Sequence, residues 1–209
     1  KFANSLRLRL LLRMSDKDAA FVTTEMTKMI VTADTLYPIF SDNEDNAQLN
    51  YLGSAPNNHP MNENRKTRDD HRVSKTLIDL LYTNAAYGDY RVAIYAELDG
   101  NNDFEGLPNG LTSSQAASYN GNGIKNTSKV GSYFTNATAP GMLMSYAELQ
   151  FILAEATLKG YIIGGTKTAE KYYKEGIFGS YNQFGDEFLN IIANTFFSEQ
   201  NPMPAGLTL

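Results

Sequence analysis

The residues best suited to chemistry in this sequence are aromatic and amide side chains in a turn-rich stretch. Tyr51 is followed by two asparagines and a histidine in the segment NYLGSAPNNHP. A sugar ring has an apolar face bordered by hydroxyl groups, so a tyrosine ring beside hydrogen-bonding side chains suits a glycan. The same asparagines suit the backbone of an extended peptide. The stretch predicts a ligand site made of Tyr51, Asn57, Asn58 and His59, with looser candidates at Tyr119, Tyr133 and Phe134.

A second interpretation of the same residues is purely structural. Loop tyrosines often pack a loop onto its scaffold, and asparagines often form turns. The solvent accessibility of these side chains distinguishes the two interpretations, because a ligand site needs its rings and polar groups at an accessible surface.

Catalytic signatures are missing from the sequence. It has no GxxxxGK phosphate loop, no HExxH zinc motif and no GxSxG nucleophile turn. Asp70 and His71 could be assembled with a serine into a triad, but no pattern positions them. Glu148 and Glu155 could form an acid and base pair on one helix face, although capping explains the first and a polar stripe the second. We predict that the protein is not an enzyme.

Two acidic stretches have the alternating oxygen ligands that calcium prefers. The segment DGNNDFEG lacks the glycine at the sixth position and the glutamate at the twelfth that complete a calcium loop, so a solvated turn is favoured. We predict no metal and no cofactor. The residues concerned are Asp99, Asn101, Asp103 and Glu105 in one stretch, and Asp42, Glu44 and Asn46 in the other.

Composition excludes several classes of protein. The 209 residues are 42% hydrophobic and carry a net charge of −5, which disfavours a nucleic-acid partner because such a partner selects a basic face. No apolar run approaches the roughly 20 residues of a membrane span. The absence of cysteine excludes disulfides and thiolate metal sites.

The clearest structural pattern is a helical hairpin near the end of the chain. Ser145 followed by Glu148 is a capping box, apolar residues then recur at spacings of three and four, and Gly160 supplies a left-handed stop. A second helix is predicted from Thr168 to a stop at Gly185. Glycines 176 and 179 within it predict close approach of a neighbouring helix.

The start of the chain predicts another helical hairpin. Residues 1–13 fit a strand or a helix by periodicity, and their leucines and arginines favour the helix. Ser15, Asp16 and Asp18 are suited to cap a following helix. Its predicted apolar positions are Ala20, Phe21, Met26, Met29 and Ile30.

The middle of the chain is predicted to be an irregular insert. Residues 34–72 are rich in turn formers, 74–82 read as a short helix, and 89–95 alternate as a strand does. Glycine, asparagine and serine dominate residues 97–141, and loops of that length are usually functional or mobile. The predicted fold is mainly α, with helices at both ends and a loop-rich insert containing a little β structure.

Several segments in the right order resemble one family. The pair MSYAELQFILAEA and AEKYYKEGIFGSY resembles the helix pair of SusD-like (RagB) outer-membrane lipoproteins of Bacteroidetes. KFANSLRLRLLLR, DNAQLNYLGSAPNNHP, RVSKTLIDLL, DYRVAIY and GLPNGL agree with it in order. The resemblance implies one SusD-like domain over residues 1–209, with a divergent tetratricopeptide-like helical scaffold at 1–33 and 142–195 and an insert at 34–141.

The resemblance also implies a function. Such proteins are lipid-anchored at the cell surface, on the outer membrane, where they close like a lid over a SusC-like TonB-dependent transporter and deliver an oligosaccharide or oligopeptide without chemistry. The chain begins without a methionine or a leader, so we expect that its natural start, with the lipid-anchor cysteine, lies upstream. An interaction scaffold without a small ligand is the alternative from a different functional class.

Overall fold

The computed structural model describes residues 1–68, 70–82, 89, 91–123 and 125–184. The chain divides into two compact units. Unit 1 combines Lys1–Gln48 with the described residues from Met142 onward, and unit 2 is Leu49–Gly141. The predicted domain division into scaffold and insert stays a prediction.

Helices dominate the described residues, which confirms the mainly α prediction. Unit 1 also has a π-helical turn at Lys28–Thr32 and short 3-10 turns at Asp34–Leu36 and Asn43–Asp45, and unit 2 has one at Tyr119–Gly121. The strands β1 (Ala47–Leu49) and β2 (Gly141–Met144) pair in a small sheet. The helices are α1 (Phe2–Met14), α2 (Ala19–Thr27), α3 (Pro60–Thr67), α4 (Lys75–Tyr82), α5 (Val92–Tyr95), α6 (Ser113–Ser118), α7 (Ser132–Thr135), α8 (Tyr146–Leu158) and α9 (Ala169–Asn182).

The predicted boundaries of α8 are confirmed, with one difference in the cap. The Ser145 hydroxyl accepts a hydrogen bond from the Glu148 backbone N–H at 3.1 Å, and Gly160 takes the left-handed conformation at φ 75°. The carboxylate of Glu148 does not complete the capping box. It pairs instead with the Arg9 guanidinium on α1 at 2.6 Å, because a charged partner from a neighbouring helix binds it more strongly than a backbone N–H.

The helix α9 is capped by Thr168, next to its predicted start, and its two glycines meet α8 as predicted. The Thr168 hydroxyl accepts from the Lys171 N–H at 3.2 Å. A Cβ at Gly176 would lie 2.9 Å from the ring of Phe151, and one at Gly179 would lie 2.8 Å from the ring of Tyr146. The glycines therefore let two aromatic rings of α8 lie directly on the backbone of α9. The predicted stop at Gly185 lies outside the described residues.

The core of unit 1 is formed by α1, α2, α8 and α9. The helix prediction for residues 1–13 is confirmed, and Asp18 caps α2 by accepting from the Phe21 N–H at 3.0 Å. The prediction of apolar positions in α2 was partly wrong, because Phe21 is 45% exposed and Val22 is fully buried instead. The side chains fully or almost fully enclosed in this core are Leu8, Val22, Met26, Met29, Met144, Leu149 and Leu153.

Unit 2 has a smaller core and more irregular backbone. Its buried cluster contains Val73, Ile78, Val92 and Ala96. Backbone hydrogen bonds connect distant loops, as in the pair Val73 N–H to Ser128 O (3.0 Å) and Leu107 N–H to Val73 O (2.8 Å). The short helix predicted at 74–82 is confirmed as α4.

Three details predicted for the middle of the chain were wrong. The alternating segment 89–95 contains the short helix α5 rather than a strand, because the Asp89 carboxylate accepts from the Arg91 backbone N–H (3.0 Å) and side chain, which turns the chain. The predicted loop 34–72 contains the helix α3, which starts at Pro60, a residue favoured in the first helical turn. The predicted loop 97–141 likewise contains the short helices α6 and α7.

Candidate ligand-binding site

The loop that carries the predicted site residues is closed by its own backbone hydrogen bonds. The Leu52 N–H donates to the Asn57 carbonyl at 2.8 Å, and the Asn57 N–H donates to the Ser54 carbonyl at 3.1 Å. The His59 N–H then donates to the Ala137 carbonyl at 2.8 Å, which ties the end of the loop to another segment of unit 2. These bonds bring residues 51 and 59 together at the base of the loop.

Tyr51 and His59 form an edge-to-face ring pair at that base. Their ring centroids are 5.0 Å apart and their planes meet at 81°. Both side chains are only partly buried. Tyr51 also packs against Gly141, where an added Cβ would lie 3.1 Å from the Tyr51 Cε2 atom. Its hydroxyl has no hydrogen-bond partner within the described part of the chain and is not fully buried.

His59 has a structural role in the loop. Its Nδ1 accepts a hydrogen bond from the Met61 backbone N–H at 3.2 Å, which caps the start of α3. An accepting Nδ1 carries no proton, so the neutral ring carries its proton on Nε2. Among the residues that the structure describes, none binds Nε2, and this atom is not fully buried. His59 therefore has one N–H donor that no described residue uses.

The two asparagines of the predicted set differ in burial. Asn57 is exposed, and its side-chain amide makes no hydrogen bond to any described residue. Asn58 is only 5% exposed, and its Nδ2 donates to Glu63 Oε1 at 2.5 Å and to Asn62 Oδ1 at 3.3 Å. Hydrogen bonds from Lys66 and Asn58 lower the pKa of Glu63. The Asn58 side chain thus holds the loop against α3 from inside, and its contact with a ligand stays a prediction.

The looser candidates lie in two other places of unit 2. The Tyr119 hydroxyl donates to the Glu105 carboxylate at 2.9 Å, and burial together with that carboxylate raises the pKa of Tyr119. Tyr133 and Phe134 form an edge-to-face pair at 5.0 Å. Phe134 also stacks on Tyr95 at 5.4 Å with planes 8° apart, a contact that the sequence did not predict, since Tyr95 was expected in a strand and lies in α5.

The residues that could have formed a catalytic pair or a metal site bind neighbouring groups of the protein instead. Asp70 lies 3.6 Å from His71 Nδ1, but both are exposed and Arg68 binds the same carboxylate at 2.6 Å. Asp99 accepts from the backbone N–H groups of residues 101 and 103 at 2.7 and 3.0 Å, as a turn does. No group of three or more possible metal ligands occurs in the described ranges.

Glu148 and Glu155 line a polar groove in unit 1. The groove has a volume of about 380 Å³, with Leu12 and Ile152 as its apolar members. Glu148 pairs with Arg9 and Glu155 pairs with Lys159, each at 2.6 Å. Two carboxylates that each bind a separate cation do not form an acid and base pair.

The family of the chain follows from comparison with known sequences. Residues 1–203 match the SusD-like family model whose description is "Starch-binding associating with outer membrane". The chain therefore belongs to the SusD-like family, which confirms the resemblance found in the sequence. No curated protein matches the chain. Among the described residues, no helix has the length and apolar character needed to cross a membrane.

Solved structures share the fold. A chitin-binding SusD homologue from Flavobacterium johnsoniae is 26% identical with a TM-score of 0.71, over 92% of this chain and 36% of that one. A SusD homologue from Bacteroides vulgatus is 26% identical with a TM-score of 0.70, over 88% of this chain and 35% of that one. One from Parabacteroides distasonis is 22% identical with a TM-score of 0.76, over 95% of this chain and 42% of that one, which is evidence of fold alone. The chain thus spans less than half of each relative.

Proposed function

We propose that this protein captures a glycan nutrient at the cell surface and binds it on the ring pair of Tyr51 and His59. The observation that carries the proposal is the combination of two partly buried rings in contact with polar groups on Tyr51, His59 and Asn57 that no described residue binds. A ligand site of this kind offers an apolar surface and a few convergent hydrogen-bonding groups. The family description and the chitin-binding relative support a glycan as the ligand class.

The accessibility of the loop favours ligand capture over a pure interaction scaffold. A scaffold would use the loop aromatics as internal packing, whereas Asn57 is exposed and both rings of the pair are only partly buried. A tyrosine ring against a sugar face contributes stacking, and the three polar groups contribute hydrogen bonds. The binding energy is spread over these contacts, and no chemical step is involved.

We further propose that the captured glycan passes to a SusC-like TonB-dependent transporter. In this proposal a lipid anchor holds the protein on the outer membrane, and the protein closes over the transporter as a lid. The support is family membership. Copurification of the full-length protein with a transporter from outer-membrane extracts tests this part, and reproducible absence of any transporter would contradict it.

Calorimetric titration tests the ligand. Full-length protein is titrated with a panel of oligosaccharides and with a mixed oligopeptide library. We expect saturable binding of at least one glycan, and we expect Tyr51→Ala to weaken it by tenfold or more because both the stacking surface and the hydroxyl are lost. Leu80→Ala is the control, since Leu80 is also on unit 2 and is 77% exposed. Binding of peptides alone, or glycan binding unaffected by Tyr51→Ala, would contradict the proposal.

A further inference from the structure

We propose that Glu63 is a positioning residue of the ligand site, which acts through Asn58 to hold the loop of residues 50–59 in the shape that brings Tyr51 and His59 together. Asn58 is then an anchor of the loop and not a ligand contact. This inference rests on the proposed function, since it concerns the same site. It assigns part of the affinity of the site to a residue on α3, outside the loop itself.

The loop depends on a polar anchor. In the loop of residues 50–59, all of which the structure describes, no apolar side chain is buried, and Asn58 is the one buried residue, at 5% exposed. Leu52 of the same loop is 62% exposed. Apolar packing has no direction, whereas a hydrogen bond has a defined geometry. The bonds of one amide, rather than apolar packing, therefore fix the interior of the loop.

The Asn58 amide is held by acceptors on α3. Its Nδ2 donates to Glu63 Oε1 at 2.5 Å and to Asn62 Oδ1 at 3.3 Å. Its Oδ1 is buried and has no partner among the described residues. Turning the amide over would place this oxygen against the Glu63 carboxylate, so the negative charge fixes the orientation of the amide. With both N–H groups bonded to α3 and the oxygen buried, the Asn58 amide offers no group to a ligand.

The Glu63 carboxylate is a strong acceptor on a fixed support. Hydrogen bonds from Lys66 and Asn58 lower the pKa of Glu63, so it is ionised at neutral pH and its bond to the amide is charge-assisted. The helix that carries it is tied to the rest of unit 2, because the Asn62 amide donates to the Thr135 carbonyl at 3.1 Å. The anchor therefore holds the loop against a helix that is itself bound.

The anchor lies between the two contacts that shape the site. On one side of Asn58, the Asn57 carbonyl accepts from the Leu52 N–H at 2.8 Å, and on the other side the His59 imidazole caps α3. Release of the Asn58 side chain would free both contacts to open. The apparent affinity of a site falls with the fraction of molecules that keep the binding shape, so loss of the anchor should weaken binding without removing any ligand contact.

Hydrogen exchange of the ligand-free, full-length protein tests the anchor directly. Glu63→Ala removes the acceptor, so we expect the Leu52 and Asn57 N–H groups to exchange about fivefold faster or more. The Val73 N–H, which bonds to the Ser128 carbonyl elsewhere in unit 2, should exchange as in the wild type. Glu63→Gln removes the same charge from the first turn of α3 but keeps an acceptor oxygen, so exchange should stay within about twofold of the wild type.

Two further variants separate an anchor from a ligand contact. Lys66→Met is the matched control, because Lys66 binds the same carboxylate at 2.6 Å and has no bond to Asn58 among the described contacts, so exchange in the loop should not change. Asn58→Asp places a second carboxylate against Glu63 and should speed exchange. Adding Glu63→Gln to Asn58→Asp supplies an N–H donor for the new carboxylate and should slow exchange again, which a residue that only touched a ligand would not do.

Calorimetry then connects the anchor with binding. The probes are oligosaccharides of the panel, chitotetraose and maltotetraose among them. For each probe that the wild-type protein binds, Glu63→Ala should weaken binding by about fivefold, whereas Glu63→Gln and Lys66→Met should leave it within about twofold. Urea unfolding of each variant checks that unit 2 is intact.

The outcomes distinguish this inference from the proposed function. Unchanged exchange at Leu52 and Asn57 in Glu63→Ala would overturn the anchor, as would equal effects of Glu63→Ala and Glu63→Gln. Undiminished binding of a probe by Glu63→Ala would also overturn it. If no glycan binds the wild type, the proposed function fails, and the exchange measurements still decide whether Glu63 positions the loop.

Discussion

The two units of this protein are stabilised in different ways. In unit 1, four helices bury large side chains, and Leu8, Val22, Met26 and Leu149 are fully enclosed. In the described part of unit 2, the buried apolar cluster is smaller, and backbone hydrogen bonds between loops and ion pairs such as Arg65 with Glu97 add to it. A unit held by loop hydrogen bonds can keep aromatic and amide side chains at its surface. The candidate ligand site lies in that unit.

The largest effect that would test this comparison is expected from core substitutions. Leu149→Ala in unit 1 should lower the free energy of unfolding by about 3–5 kcal/mol, and Ile78→Ala in unit 2 by about 2–3 kcal/mol, because the second cavity lies in a thinner core. Urea unfolding followed by circular dichroism measures both. Leu80→Ala is the control and should change stability by less than about 0.5 kcal/mol, since Leu80 is exposed. An equal or larger loss for Ile78→Ala would contradict the comparison.

An intermediate effect is expected from the polar network of unit 2. The Arg65 guanidinium binds the Glu97 carboxylate (3.1 Å), the Thr135 hydroxyl (2.8 Å) and the Val130 carbonyl (3.4 Å). Arg65→Met keeps the aliphatic stem and leaves these acceptors without their donor, so we expect a loss of about 1–3 kcal/mol.

Arg68→Met provides the matched control for Arg65→Met. Arg68 follows the same helix, but its side chain is 77% exposed and binds only Asp70 among the described contacts, so we expect a change below about 0.5 kcal/mol. Hydrogen exchange should show faster exchange near residues 97 and 130–135 in Arg65→Met alone. Similar losses in both variants would show that the network has no special role in unit 2.

The smallest effect is expected at the surface of unit 1 and depends on pH. Burial tends to raise the pKa of Asp45, but hydrogen bonds from Lys1 and Ser41 outweigh it and lower that pKa to about 2. A carboxylate with a depressed pKa stabilises the fold above its unfolded pKa, near 4, and this contribution disappears as pH falls through about 2. Asp45→Asn should therefore lower stability by under about 1 kcal/mol at pH 6, and the difference should shrink between pH 4 and 2.

Thermal unfolding across that pH range measures the Asp45 effect. Lys1→Met removes the same ion pair from the other side and should reduce the pH dependence, because the shortest bond to Asp45 comes from Lys1 (2.6 Å). A stability difference that grows as the solution becomes more acidic would contradict the assignment.

The sequence correctly predicted the helix ends that depend only on contacts between residues close together in the chain. Two of these ends are set by side-chain caps, from Ser145 and Thr168, and one by the left-handed conformation of Gly160. The residue type alone predicts each of these roles. The helix α3 was missed because its cap is His59, a residue type that rarely marks a helix start. The segment 89–95 was misassigned because its alternation is outweighed by the Asp89 and Arg91 contact, which periodicity does not include.

The candidate site shows the same limit. The residue types around Tyr51 predicted which loop to inspect, and the structure brings Tyr51 and His59 into contact. The sequence did not predict that Asn57 and Asn58 differ in burial. Asn57 is exposed, whereas Asn58 is buried, with only 5% of its surface accessible. Burial of adjacent asparagines depends on which way the chain turns toward α3, and that turn is set by contacts with residues 62 and 63.

Under the proposed function, the structural role of His59 restricts how this loop could change its ligand. The same imidazole caps the start of a helix through Nδ1, and no described residue binds its Nε2. A substitution that retargets recognition at position 59 must also supply a new helix start, and few residue types do both. Positions 51 and 57 have no comparable duty toward a helix, so variation there is the easier route to a new specificity, in natural divergence and in engineering.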